Sequence, residues 1–300
     1  PVKIPDGLPA AAVLEGERIS VIPESRAFTQ DIRPVRIAVV NIMPAKSVTE
    51  TQLLRLLSNS PLQVSVTFVH PQSHSPKNTA PEYLTKFYKY FRDIRAERFD
   101  GLIITGAPVE TLEFSEVGYW NELREIMDWS KTNVYSSLHL CWGAQAGLYH
   151  HYRVPKYPLP QKMSGVFRHR ITAQRSPLLH GFDDVFLAPH SRYTDVCRED
   201  VFNAGSLQIL AESDTAGVYL VSRPDGRQVF VTGHPEYDQL TLKGEYERDK
   251  AKGLPVPLPS HYFPGDDPAQ LPVASWRGHA SLLFTNWLSA VYQNAPFDLS

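Results

Sequence analysis

Between Val35 and Leu140 four short β-prone runs alternate with helical segments, and this alternation leaves few folds open. Val35–Met43 reads VRIAVVNIM, a continuous apolar run of the kind that forms a parallel strand buried on both faces. It stops at Pro44. Thr49–Leu57 follows with Leu53, Leu54 and Leu57 on one helical face, and Ser47 with Glu50 three residues on reads as a capping box. Gln63–His70 is the second strand, Glu82–Arg92 an aromatic-rich helix, and Phe99–Thr105 the third strand, closed by Gly106-Ala107-Pro108. Tyr119–Ser130 is helical, and Val134–Leu140 is the fourth strand. This rhythm implies right-handed crossovers and an α/β fold whose mostly parallel sheet is flanked by helices.

After Tyr149 the rhythm changes. His150–Pro160 reads as a loop. Val166–Thr172, Val185–Ala188, Leu207–Ala211, Gly217–Ser222 and Arg227–Thr232 are short strands between turns, and Pro224-Asp225-Gly226 is a hairpin signal. The second half of the sheet is therefore expected to be antiparallel. Gln239–Lys252 is a charged helix, Gly253–Pro272 a Pro-rich loop and Ala274–Tyr292 a final amphipathic helix. Residues 1–34 read as an irregular arm, with prolines at 1, 5, 9, 23 and 34 and a short edge strand at Ile19–Ile22. The arm is expected to pack on one α/β domain covering residues 35–300.

Composition narrows the function classes. The chain is 42% hydrophobic, enough for a sizeable core, and its net charge of −2 carries no long single-sign run. A nucleic-acid or membrane surface is not expected. No stretch approaches the roughly 18 apolar residues of a membrane span, and no basic-then-apolar signal pattern opens the sequence. Cys141 and Cys197 are the two cysteines of the chain, a usage that fits a reducing, cytoplasmic setting.

The chemistry gathers on Asn133–Gly147, NVYSSLHLCWGAQAG. A β run ends at Cys141 and turns at once into Trp142-Gly143-Ala144, small and helix-compatible. That is the layout of a nucleophile elbow. The positive end of the helix dipole stabilises a thiolate there, and backbone N–H groups at the turn can hold an oxyanion. A lone strand cysteine is otherwise a buried structural thiol. A partner exists at Val229–Tyr237, VFVTGHPEY, where a strand ends in Gly233 and presents His234 and Glu236. An imidazole beside a thiol serves as its base, and a carboxylate orients the imidazole. Both motifs stand just beyond strand ends, where parallel α/β sheets collect function. His190 raises the question of a metal, but no second ligand stands at helical or strand spacing, so no metal is expected.

Gly106-Ala107-Pro108, the cysteine elbow and Gly233-His234-Pro235-Glu236 resemble the class I glutamine amidotransferase fold, in which a Cys-His-Glu triad sits on a flavodoxin-like sheet. A closer likeness covers nearly the whole chain. Residues 33–62, 181–193, 232–238 and 275–287 resemble the homoserine O-acyltransferase family of methionine biosynthesis. Leu140 and Trp142 flank Cys141 where amidotransferase elbows usually carry glycines, which fits the acyltransferases better.

The resemblance implies a ping-pong transfer. Cys141, with His234 as base and Glu236 as orienter, takes the acyl group of an acyl-CoA and yields it to the hydroxyl of L-homoserine. Backbone N–H groups near Trp142, with Lys46, would hold the oxyanion. Lys162, Ser191 and Arg248 match the family's amino-acid site, and Arg248 suits a carboxylate because it binds one bidentately. No carboxylate stands four residues from Arg248 along its helix, though Glu245 lies three before it. Glu110 occupies the position that separates acetyl from succinyl users. A carboxylate there fills the space and repels succinate's own, so acetyl-CoA is the expected donor, as substrate rather than bound cofactor. Succinyl-CoA as donor or serine as acceptor stays open, and so does glutamine hydrolysis by the same triad. A homodimer is implied by the resemblance alone.

Overall fold

The computed structural model describes residues 2–17, 21–27, 33–73, 79–173 and 176–296. Strand β1 (Val2–Ile4), helix α1 (Ala10–Gly16), β2 (Val21–Pro23) and the single turn α2 (Glu24–Ala27) come first. The alternating half runs β3 (Val35–Val40), α3 (Lys46–Ser58), β4 (Val64–His70), α4 (Pro81–Phe87), β5 (Tyr88–Tyr90), α5 (Phe91–Ile94), β6 (Phe99–Ile104), α6 (Trp120–Asn133), β7 (Val134–Leu140) and α7 (Trp142–Tyr152). The remainder is β8 (Lys156–Ile171), β9 (Val185–Val196), α8 (Arg198–Asn203), β10 (Gln208–Ser213), β11 (Gly217–Ser222), β12 (Gln228–Val231), α9 (Thr241–Ala251) and α10 (Arg277–Asn294).

These strands form one sheet in the order β2-β1-β4-β3-β6-β7-β12-β11-β10-β8-β9, with β5 also on β4. From β2 to β12 every neighbour is parallel, and from β12 to β9 every neighbour is antiparallel. The apolar runs at β3, β6 and β7 are central because residues of both parities are buried. Ile37 and Val39 face one layer with α3 and α10, whereas Ala38 and Val40 face the other with α5, α6 and α7. On the α10 side Trp287, 1% exposed, lies so close to Gly101 that a Cβ there would stand 2.7 Å from the indole.

Four local expectations fail for physical reasons. Ser47 and Glu50 form no capping box, because α3 starts at Lys46 and the Glu50 carboxylate accepts hydrogen bonds from Tyr83 and Tyr88 instead. The Glu82–Arg92 helix is interrupted by β5, whose Tyr88–Tyr90 pairs with Phe68–His70 of β4. His150–Pro160 is not a loop, since α7 continues to Tyr152 and β8 begins at Lys156. Residues 1–34 are more than an irregular arm. β1 adds to the edge of β4 at Val2↔Val64 and carries β2 outside it. Ile19 and Ser20 of the expected edge strand lie outside the described residues, and Val21 and Ile22 belong to β2.

Two features of the sheet prepare the site. β7 and β12 are parallel neighbours in register Leu140↔Val231, so residues 141 and 234 emerge at the same edge. β8 and β9 pair over most of their length but slip between Pro158↔Thr194 and Met163↔Arg192, five steps along β8 against two along β9. The bulge re-aims the residues it contains, as bulges do. Lys162 is one of them.

Candidate active site

Cys141 sits where β7 must become α7 without a spacer. Its backbone takes φ 49° and ψ −117°, a conformation that costs a non-glycine residue on the order of 1–3 kcal/mol. The strain is held by Cys141 N–H donating to Val231 O at 2.7 Å and by Ala144 and Gln145 N–H donating to Cys141 O at 2.9 and 3.2 Å. The glycine after the elbow has a reason as well. A Cβ on Gly143 would stand 2.6 Å from Thr105 O and 2.9 Å from Ile104 O, so only glycine lets α7 start this close to the end of β6. The Trp142 indole is buried against Phe114 and Tyr119, which leaves its backbone N–H as the group this residue can offer at the turn.

His234 follows β12 on a turn pinned by its own N–H donating to Pro189 O at 2.9 Å. Its Nδ1 lies 2.7 Å from Glu236 Oε1, and both residues are buried. Tyr237 stacks on the imidazole with ring centroids 4.0 Å apart and planes 17° apart. Burial opposes charge on His234, but Cys141 and Glu236 outweigh it and hold the imidazole well above its ordinary pKa. Charge on the ring favours negative charge on the sulfur beside it. Gly106 lies against this pair, and a Cβ there would stand 3.3 Å from Cys141 Cβ and 3.5 Å from His234 Cε1. The three expected triad residues therefore come together around a backbone kept bare by glycine.

The triad opens on a cleft of about 390 Å³ whose walls include Glu110, Lys162, Ser191 and Arg248. Lys162 is buried, and its Nζ lies 2.7 Å from Asp249 Oδ2 and 3.9 Å from Glu245 Oε2. Ser191 donates its hydroxyl to Glu245 Oε2 at 2.5 Å, and its carbonyl lies 4.0 Å from Cys141 Sγ. Arg248 does meet a carboxylate, but not the one its helix spacing named. Asp249, the next residue, receives both Arg248 Nε at 2.8 Å and the terminal guanidinium at 2.7 Å. Burial pushes Asp249 up, yet Lys162 and Arg248 together hold it below the usual carboxylate range. Glu110 is raised by burial against the pull of His234 and Lys162.

Sequence reasoning did not find Tyr237 or Asp249, and it took Glu245 for a helix-surface competitor. Glu245, Arg248 and Asp249 on α9 and Lys252 at its C-cap recur at three- and four-residue spacing and all line the cleft. That periodicity was the available signal. Lys46 is placed elsewhere: its buried ammonium donates to Asn41 O and lies over the Tyr88 ring, outside the cleft walls. Burial brings its pKa down to about 8. Cys197 is free, partly exposed rather than buried, with Sγ 2.8 Å from Glu199 Oε2.

His190 does have a histidine neighbour, contributed by the facing strand. Its Nε2 lies 3.0 Å from His169 Nε2, and burial holds both rings neutral. Among the described residues the group with spacing for a metal is Asp128, His150 and His151, whose ligand atoms lie within 4.8 Å of one another. Lys131 Nζ already lies 2.9 Å from the Asp128 carboxylate. No helix among the described residues is long and apolar enough to cross a membrane.

Comparison with known proteins gives the same picture at two levels. A family described as homoserine O-succinyltransferase matches residues 1–297. A homoserine O-acetyltransferase of Acetivibrio thermocellus is 61% identical over 301 residues, spanning 100% of this chain and 99% of the relative. One from Geobacillus kaustophilus is 60% identical, with 99% of each covered, and one from Brevibacillus brevis 58%, covering 100% of this chain and 98% of the relative. Among solved structures, a glutamine amidotransferase from Methylobacillus flagellatus superimposes with a TM-score of 0.54 at 12% identity, covering 87% of this chain and 96% of that one. Another from Thermotoga maritima gives 0.56 at 10% identity, covering 87% and 97%. At such identities these structures show a shared fold and no more.

Proposed function

The chain belongs to the homoserine O-succinyltransferase family, and from that membership we propose that it moves an acetyl group from acetyl-CoA to the hydroxyl of L-homoserine through a thioester on Cys141. The observation that carries the mechanism is the Cys141 elbow facing a buried, Glu236-anchored His234. In the first half, the Cys141 sulfur attacks the thioester carbonyl, and the carbonyl oxygen gathers negative charge at the start of α7, where Trp142 N–H lies. Coenzyme A leaves, taking up a proton from the His234 imidazolium. One thioester replaces another, so the intermediate is close in energy to the reactants. In the second half, neutral His234 takes the proton of the homoserine hydroxyl as its oxygen attacks the acyl carbon, and Cys141 departs as a thiolate beside the new imidazolium. Glu236 keeps Nδ1 occupied throughout, so the other ring nitrogen faces the reaction. The amino acid's carboxylate is assigned to Arg248 and Lys162 at the cleft wall, beside Ser191.

The family's description names succinyl transfer, whereas the three relatives compared above are named for acetyl. Glu110 in the cleft wall favours acetyl, because a succinyl chain would bring a second carboxylate toward it. Intact mass after mixing the protein with acetyl-CoA or succinyl-CoA alone, with Cys141→Ala as control, tests donor and mechanism together. An acetyl adduct absent from the control is the expected result. A succinyl adduct would overturn the donor assignment, and glutamine hydrolysis with no adduct from either donor would overturn the acyltransferase reading.

A further inference from the structure

Next to the triad, on β8 and β9, lies a row of buried polar side chains that the acyl transfer does not itself use. His169 and His190 are 0% exposed and Arg192 1%. A guanidinium only donates, and Arg192 Nε donates to His190 Nδ1 at 3.3 Å. That nitrogen therefore carries no proton, and His190, kept neutral by burial, must hold its proton on Nε2. This Nε2 lies 3.0 Å from His169 Nε2, so it donates there. His169, neutral as well, then carries its proton on Nδ1, 2.9 Å from the Phe167 carbonyl. One tautomer of each ring, and no other, satisfies every partner in the row. The ring planes lie 17° apart with centroids 5.1 Å apart, close to the greatest separation a 3.0 Å nitrogen contact allows, so the rings meet edge to edge. Arg192 anchors the other end through the carbonyls of Thr194 and Ala216 and the Asp195 carboxylate. The hydrogen bonds thus run in one direction, from Arg192 through His190 and His169 to Phe167.

We propose that His190 is a positioning residue for the base His234, held in a single orientation by this row, a role that rests on the acyltransferase reading above. Two contacts carry the effect. The His190 ring stands against the turn that presents His234, where a Cβ on Gly233 would lie 3.1 Å from His190 Cε1 and 2.8 Å from Pro189 O. The peptide joining Pro189 to His190 carries the carbonyl that accepts the His234 N–H at 2.9 Å. Turning the His190 ring over would exchange its nitrogens for carbons, break both of its hydrogen bonds and put Nε2 against Gly233 in place of Cε1. The contact therefore exists in one orientation, and the row fixes that orientation. Tyr219 closes the group, with its ring centroid 4.5 Å from that of His169 and 5.7 Å from that of His190. An apolar side chain of similar size would fill the space without choosing an orientation. Neither histidine is among the cleft walls, so the row acts on the base through the turn and not on a substrate.

The test uses the full chain and two readouts. Long-range proton–nitrogen NMR spectra near neutral pH report which nitrogen of each ring is protonated. The expected result is His190 protonated on Nε2 and His169 on Nδ1. The opposite tautomer of either ring, or a doubly protonated ring, would overturn the proposal without any variant. The second readout times acetyl-enzyme formation by mass spectrometry at saturating acetyl-CoA. His169→Leu removes the acceptor of the His190 N–H, and His169→Gln restores one. His169→Leu is expected to slow acylation by about ten- to a hundredfold, the scale on which slight misplacement costs rate, with the half-saturating acetyl-CoA concentration within about twofold of the unmodified protein's. His169→Gln should recover most of that loss. A purely structural role for His169 would lower the fraction of chains that become acylated and leave the rate of the remainder unchanged. That outcome overturns the positioning role, as does an unchanged rate with every chain acylated. Absence of acetyl-enzyme in the unmodified protein would instead count against the acyltransferase reading itself, so the two failures read differently.

Discussion

At the scale of single residues the cleft is decided by charges brought close and left unequal. Glu110 is the plainest case, since one side chain in the cleft wall would set the donor. Replacing it with Gln removes the charge and keeps the size. The expected result is a rise in the ratio of kcat/KM for succinyl-CoA over acetyl-CoA of at least about fivefold, the equivalent of about 1 kcal/mol for a solvated pair of charges. Glu110→Gly should raise it further by adding room. Steady-state kinetics with both donors measures this, and a ratio that neither variant moves would remove Glu110 from the selectivity argument. The same scale explains what sequence could not reveal. Glu245 and Asp249 look like the solvated charges of any helix, and their partners Tyr237, Ser191 and Lys162 reach α9 from other segments of the chain. Cys141, His234 and Glu236 were legible because each belongs to a short local motif. Lys46 stands outside the cleft walls because its neighbour in sequence, the end of β3, captures it through Asn41 O.

At the scale of elements the site depends on how tightly α7 is seated on the end of β6. Gly143 makes that seat, and Gly143→Ala would press a methyl group onto the Thr105 and Ile104 carbonyls. We expect a stability loss of about 1–3 kcal/mol, the usual cost of overpacking, together with a larger loss in the rate of acetyl-enzyme formation, because the shift moves the elbow itself. Urea unfolding and the rate of adduct formation separate the two effects. Full stability with unimpaired acylation would show that the seat tolerates displacement. The elements that were legible are the central ones. β3 and β6 carry their own burial in their sequence, as largely apolar runs buried on both parities, and β4 and β7 are legible as β-prone runs of strand length between turn signals. β1, β5 and most of β8 were not legible, because short strands are stabilised by the neighbour they pair with, whereas Val21 and Ile22 of β2 were read as part of an edge strand. Val2 is a strand residue only because Val64 offers it an edge.

At the scale of the whole molecule several histidines are enclosed. Burial lowers His139 to about 4, His169 to about 3 and His151 to about 2, and holds His190 well below its ordinary value. Each of these rings takes up a proton in the unfolded chain near pH 6.5, and none does so in the folded state until the pH is much lower. Between pH 6.5 and about 4 the unfolded chain therefore binds more protons, and stability falls as pH falls through that window. Each histidine contributes up to about 1.4 kcal/mol per pH unit. His234, held above its ordinary value by Cys141 and Glu236, works in the opposite direction at the neutral end of this window, and the carboxyls of Glu50, Glu110, Asp195 and Asp238, raised by burial, do so toward its acid end; four lowered rings stand against them. Melting temperature followed by calorimetry should drop by several degrees between about pH 7 and pH 5. A flat profile would mean that the enclosed rings are not held neutral.

The register of β7 with β12 has a consequence for the history of each molecule. Cys141 and His234 follow neighbouring strands of the sheet, yet residues 153–227 are made between those strands, and β8 to β11 must find their places on the far side. On the ribosome the thiol emerges long before His234 exists. A nascent or half-folded chain thus carries Cys141 without His234 beside it and Ser191 without the Glu245 carboxylate that accepts its hydroxyl. The pairing of β7 with β12 that closes the sheet is thus also the event that assembles the cleft around Cys141.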